Sequence, residues 1–331
     1  MLFGILFWLL ACQPAKEKQV AEVPPVGHYE GSIQLQAQGT LRAALDIRHP
    51  SPGHYEAELT VPDATTLSFV GDTILYANNQ LQLRRPSQPN QLLTLNLDGD
   101  FWRGTLQLDS LKTEALLVRR GQPSPSTYRV EELPQNQGSS WLFSPADTST
   151  PGPALALLPD STTAQTAALW ADALAREGVI VLVLPAAGTG TTGLGTALDL
   201  LRATPGADTA SIGVWATGRR AAALATELNE GSGARTAFLV AQQVEVTPEV
   251  KADFRELTRR KLPILGLYGG AGSSTQAARL RAALGGRRAA VRTYPSAGAD
   301  LLMPGAQPNR FSAGASAEVL DWLHMVLSQE R

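Results

Sequence analysis

The chain has 331 residues, a formal net charge of −2, 44% hydrophobic residues and 18% charged residues. This is enough apolar material for two cores, and the near-neutral balance excludes the basic footprint of a nucleic-acid binder. A single cysteine, Cys12, excludes an intramolecular disulfide, a Cys-x-x-Cys redox pair and a cysteine-based zinc site, and the four histidines (His28, His49, His54, His324) leave residues 55–323 with none.

Leu2 to Ala11 form an unbroken apolar run. It is shorter than the ~20 residues that cross a bilayer and has the length of a signal-peptide h-region. It closes on Leu9-Leu10-Ala11-Cys12, which resembles the lipobox of bacterial lipoproteins. That resemblance implies a signal peptide and lipobox over 1–12, a lipid on Cys12 and a cell-envelope location, with the membrane as a partner through the lipid. Gln13, rather than Asp, follows the cysteine, which in the same resemblance favours the outer membrane. Residues 13–26 (QPAKEKQVAEVPPV) are polar and Pro-containing, the composition of a tether.

From 27 to 121 the pattern is one of short strands. They fall at 41–48, 54–61, 66–70, 72–77, 80–85, 91–97, 101–108 and 114–120, several alternating apolar and polar. Ser51-Pro52-Gly53, Asn78-Asn79 and Asp98-Gly99-Asp100 punctuate them as turns, with no helical run between. An all-β sandwich or barrel follows. Residues 122–139 are rich in Gly, Pro, Ser and Gln and read as a linker, with one short strand at 126–132 as an option.

Residues 140–331 change period. Continuous apolar runs such as PALALLPD (153–160) and GVIVLVLPAAG (178–188) have the look of strands buried on both faces. They alternate with helical stretches such as 162–178 and the closing SAEVLDWLHMVLSQ. Alternating β and α units predict a parallel-rich sheet with helices on both faces. Chemistry is expected at the carboxyl ends of its strands, in the loops after 158, 184, 216, 240, 268 and 294. Gly188 to Gly193 matches G-x-G-x-x-G, but Asp208 is too near and stands before a strand, so neither a dinucleotide nor another cofactor is expected. No metal is expected either.

Three stretches carry a family likeness: LPAAGTGTTG, TALDLLRATPGADTASIGVWATGRRAA and NRFSAGASAEVLDWL, in that order. Together they resemble the α/β-hydrolase family, in particular bacterial esterase-like proteins with an N-terminal β-domain. The likeness covers about 140–331 and, more loosely, 27–120. It implies an α/β-hydrolase fold preceded by an all-β domain. It also implies a nucleophile on a G-x-S-x-G turn, an acid after the next-to-last strand and a histidine after the last. Here those positions hold Gly218, Gly272 and Ala299. A serine hydroxyl needs an imidazole to take its proton and a carboxylate to orient that imidazole, so the triad is degenerate. Arg220 stands where the elbow needs almost no side chain, which favours a relaxed turn, while Gly218 can still take positive φ cheaply and keep a remnant elbow. His324 lies on a helix rather than at a strand tip.

What remains is a set of ligand contacts: Asp160, Ser161, Thr217, Arg219 and Asp300, with the backbone N–H groups of the 160–161 loop and of Arg219 as a remnant oxyanion hole. The insertion that shapes the pocket in many hydrolases is reduced to 246–254. Three readings stay open: a membrane-anchored pseudohydrolase that binds a small molecule or protein; an active serine hydrolase with a relocated site; and an envelope protein whose β-domain carries the function.

Overall fold

The computed structural model describes residues 22–35, 39–71, 74–86, 88, 90–109, 111–135, 138–186, 193–230, 236–285, 289–306 and 309–328. The expected signal peptide, Cys12 and most of the expected tether lie outside them, as does most of the 188–193 glycine loop.

The first sheet contains β1 (Gly27–Leu35), β2 (Gly39–Ser51), β3 (His54–Thr60), β4 (Phe69–Gly71), β5 (Ile74–Ala77), β6 (Gln80–Arg84), β7 (Gln91–Asp98), β8 (Phe101–Leu108) and β9 (Leu111–Gly121). Their order is β4-β3-β2-β1-β9-β8-β7-β6-β5, antiparallel throughout. Consecutive strands pair by short turns. At Asn78-Asn79 both residues take positive φ (51° and 58°), the backbone a two-residue hairpin needs and asparagine tolerates. Its two ends, β4 and β5, are consecutive in the chain, and β3 lies beside β5, so the meander curls into a nearly closed barrel. Alternate residues such as Ile33, Leu45, Leu83, Leu95 and Leu117 fill it around a fully buried Trp102, on which Tyr29 and Tyr76 pack edge-on at 6.0 and 6.2 Å.

Two expectations change here. A ninth strand, β1, is present; Gly31 interrupts its apolar alternation, because a Cβ there would run into the Leu116 carbonyl of β9. The strand expected at 66–70 begins only at Phe69, because Pro62–Leu67 form a short 3₁₀ helix with Pro62 in its first turn.

The second sheet contains β10 (Tyr128–Gln135), β11 (Gly138–Pro145), β12 (Gly152–Leu158), β13 (Ile180–Val183), β14 (Ala207–Thr217), β15 (Leu239–Gln242), β16 (Ile264–Gly269) and β17 (Ala289–Tyr294). The helices are α1 (Ala164–Arg176), α2 (Leu194–Ala203), α3 (Gly218–Glu230), α4 (Pro248–Arg259), α5 (Ser274–Arg281) and α6 (Ala315–Ser328). Most of the segment read as a linker over 122–139 is therefore sheet. β10 alternates buried Tyr128 and Val130 with polar Arg129 and Glu131, and that polar half disguised it.

Strand order is β10-β11-β13-β12-β14-β15-β16-β17. β10 and β11 run antiparallel to their neighbours and every other pairing is parallel. Numbered within the sheet this is 1-2-4-3-5-6-7-8, the order of the α/β-hydrolase fold. Ala154, Ala156 and Leu158 of β12 face the core under α2 to α5, while Leu155 and Leu157 face the one under α1 and α6. Covering both faces is what makes the central strands continuous apolar runs.

The two units meet through a buried polar seam. Glu58 of β3, 2% exposed, accepts hydrogen bonds from Arg48 (3.1 Å), Arg176 of α1 (2.9 Å) and the Thr127 hydroxyl (2.7 Å). Asp172 of α1 pairs with Arg85 and accepts from the Tyr128 hydroxyl, which in turn accepts from the Val70 N–H at 3.1 Å. Burial first, and the Asp172 charge next, hold the Tyr128 phenol well above its ordinary pKa, so it stays a proton donor.

Candidate functional site

The turn from β14 into α3 is where a hydrolase of this fold presents its nucleophile. Thr217 ends the strand and Gly218 opens the helix with φ +52°, the left-handed backbone that glycine takes without strain. Of the two readings left open for this turn, the remnant elbow is the one found, not the relaxed turn. In the first turn of a helix a long side chain points back towards the N-terminus. Arg220 does so, is buried, and donates through Nη1 to the Pro159 carbonyl at 3.0 Å and the Pro185 carbonyl at 2.7 Å. It thereby ties the loops after β12 and β13 to the elbow. Burial lowers its pKa, and the nearby Asp160 charge opposes that drop.

Above Gly218 lies Asp160. A Cβ built on Gly218 would collide with Asp160 Oδ2, so the carboxylate occupies the space a nucleophilic side chain would enter. Asp160 Oδ1 is held by the N–H of Thr162 (2.9 Å) and of Thr163 (3.1 Å) and by their hydroxyls at 2.7 and 3.1 Å. It thereby closes the turn that leads into α1, whose N-cap residue is Thr163. The Asp160 N–H, an expected oxyanion donor, donates to Thr217 Oγ1 at 2.6 Å and to Thr163 Oγ1 at 3.1 Å. Thr217 is 1% exposed, with Oγ1 also 3.3 Å from the Leu158 carbonyl. The protein's own groups thus saturate part of the remnant oxyanion hole.

The other expected contacts separate. Ser161 and Arg219 are exposed. Asp300, after β17, is engaged in its own turn: Oδ1 accepts from the Leu302 N–H at 3.1 Å and its carbonyl from Trp170 Nε1 at 3.3 Å. Gly272 is exposed, and a Cβ there would meet nothing within 4 Å. Ala299 is exposed and offers only its carbonyl, which accepts from Gln242 Nε2 at 2.8 Å. His28, His49 and His54 lie on β1 to β3 and His324 is exposed on α6, so no imidazole reaches the carboxyl edge of the second sheet. Among the described residues no three His, Cys, Asp or Glu gather as metal ligands.

Gln242 escaped the sequence reading. It is 2% exposed at the tip of β15 and accepts from Trp215 Nε1 at 2.9 Å while holding Ala299. Gln243 beside it takes φ +52° and donates to the Gly269 carbonyl at 2.8 Å. The signal was a pair of glutamines ending an otherwise apolar strand, AFLVAQQ. The two amides fasten the ends of β14 to β16 and the loop after β17, where a working triad would keep acid and base. Helix α4 follows β15 after only a short loop, in keeping with a reduced insertion.

No protein-family model matches the chain, and no curated protein matches it. Among solved structures, one similar protein is described as a dienelactone hydrolase, from Klebsiella pneumoniae subsp. pneumoniae MGH 78578. The two share 15% identity at a TM-score of 0.42, over 59% of this chain and 97% of that one. Another is a 2,6-dihydroxy-pseudo-oxynicotine hydrolase, with 13% identity and a TM-score of 0.39 over 62% of this chain and 69% of that one.

Proposed function

We propose that this protein is a pseudohydrolase, held at a bacterial envelope membrane by a lipid on Cys12, whose α/β domain binds a small molecule or protein instead of cleaving it. One observation carries the reading: the Asp160 carboxylate fills the nucleophile's place over Gly218. Acyl transfer needs a nucleophile, a proton acceptor beside it and donors aimed at the developing oxyanion. A fixed carboxylate at that point repels a developing negative charge. The neighbouring N–H is turned to Thr217, and every histidine lies elsewhere. The Cys12 anchor rests on the lipobox resemblance.

The test is turnover of a panel of p-nitrophenyl esters of graded chain length. The expected rate is that of buffer, the same for the natural chain and for Asp160→Asn. Turnover well above buffer that Asp160→Asn or Thr217→Val abolishes would establish the relocated-site hydrolase instead. For the anchor, radiolabelled palmitate should enter the natural chain and not Cys12→Ser; equal incorporation refutes it.

A further inference from the structure

The barrel carries a concave patch of its own. It is a cleft of about 520 Å³ on the outer face of β1, β2, β8 and β9, closed on one side by the 3₁₀ helix. Strand register builds it: Glu30, Val118 and Phe101 form one cross-strand row, and Arg42, Ser32, Leu116 and Arg103 the next. Its floor includes Phe101 and Leu116, 40% and 41% exposed, large apolar groups on a face where strands ordinarily place polar ones. The rim is balanced. Arg42 and Arg120 supply two positive charges, Glu30 and Asp63 two negative ones, and Arg120 stands 3.8 Å from Glu30. The Arg103 guanidinium lies over the Phe101 ring at 5.6 Å.

We infer that this face docks on the surface of a zwitterionic phospholipid bilayer, with Phe101 and Leu116 at the boundary where headgroups give way to acyl chains and the rim among the headgroups. Two observations choose this occupant. A rim with both signs complements a headgroup that carries a phosphate and an ammonium, and arginine stems can lie on apolar surface while their heads stay at the water side. The chain also leaves the barrel beside the cleft: Pro25 and Val26 are pinned by Tyr29 and Arg119, and Glu30 lies only a few residues along β1. From Cys12 to Pro25 the backbone spans at most about 45 Å fully extended. This second point rests on the lipid anchor proposed above; the shape and charge of the cleft do not.

The experiment uses the full chain, expressed with its own leader and reconstituted into phosphatidylethanolamine–phosphatidylcholine vesicles containing doxyl-labelled lipid. Leu116→Cys carries an environment-sensitive fluorophore, and Leu75→Cys on β5, also exposed, serves as the comparison. A lipid-modified Cys12 leaves the introduced thiol as the only free one. The expected result is a blue shift and loss of emission at 116, none at 75, and no change on raising salt. Equal quenching at both positions, a requirement for added anionic lipid, or protection of 116 by self-association without vesicles would each overturn the docking. The mass of the same sample judges the anchor separately. An unmodified Cys12 with quenching at 116 sinks the anchor and leaves the face standing; a lipidated Cys12 without quenching sinks the face.

Discussion

Returning a hydroxyl to the elbow by Gly218→Ser is the most informative perturbation of stability. The serine must hold φ near +52°, which costs an L-residue about 1–2 kcal/mol. Its Cβ must also displace the Asp160 carboxylate. That disturbs its hydrogen bonds to the Thr162–Thr163 turn before α1, where each such bond is worth about 0.5–1.5 kcal/mol. The total loss is about 2–3 kcal/mol, or about 4–12 °C in Tm for a domain of this size. Urea unfolding followed by tryptophan fluorescence measures it, because Trp170 and Trp215 pack at 4.9 Å beneath the site. The same substitution made on Asp160→Ala no longer meets the carboxylate, so only the backbone cost of about 1–2 kcal/mol remains. An equal cost in both backgrounds would refute the placement of Asp160 over Gly218.

Other outcomes follow from the same geometry. Asp172→Ala strands Arg85 and the Tyr128 hydroxyl in the seam between the units; equilibrium unfolding should register a loss of about 3–5 kcal/mol, partly recovered by adding Arg85→Met. Gln242→Leu leaves the Trp215 N–H and the Ala299 carbonyl without their partner, a loss of about 2–4 kcal/mol in the same assay. His28 should titrate above its ordinary value in an NMR experiment: its partial burial lowers the pKa, but the hydrogen bonds to Asp46 and Glu30 outweigh that and raise it. Its contribution to stability is therefore complete below about pH 6.5 and is lost as pH rises through the folded-state value. The stability difference between the natural chain and His28→Asn should thus shrink on raising the pH, and a difference that grows would contradict the pairing.

The second sheet was legible because β12 to β16 are buried on both faces and read as apolar runs whatever their neighbours. The elbow was legible in position, from a strand ending at Thr217 and a helix opening at Gly218. Its geometry was not, because the path of Arg220 depends on the Pro159 and Pro185 carbonyls, which meet it only after the sheet forms. Asp160 illustrates the same limit. Its Oδ1 makes only local bonds, to the Thr162–Thr163 turn just before α1. That its second oxygen projects over Gly218, 58 positions away in the chain, depends on the parallel pairing of β12 with β14. β1 was missed because Gly31 interrupts the alternation that burial imposes, and β10 was read only as an optional, shorter strand inside a linker because its other half is charged.

In the proposed function, no activated nucleophile stands among the described residues at the carboxyl edge of this sheet. The most direct measurement is the intact mass of the protein after prolonged exposure to a fluorophosphonate, which reacts with an activated serine and spares an ordinary one. The expected result is an unchanged mass, identical for the natural chain and Gly218→Ala. One adduct per chain, on any serine of the α/β domain, would contradict it.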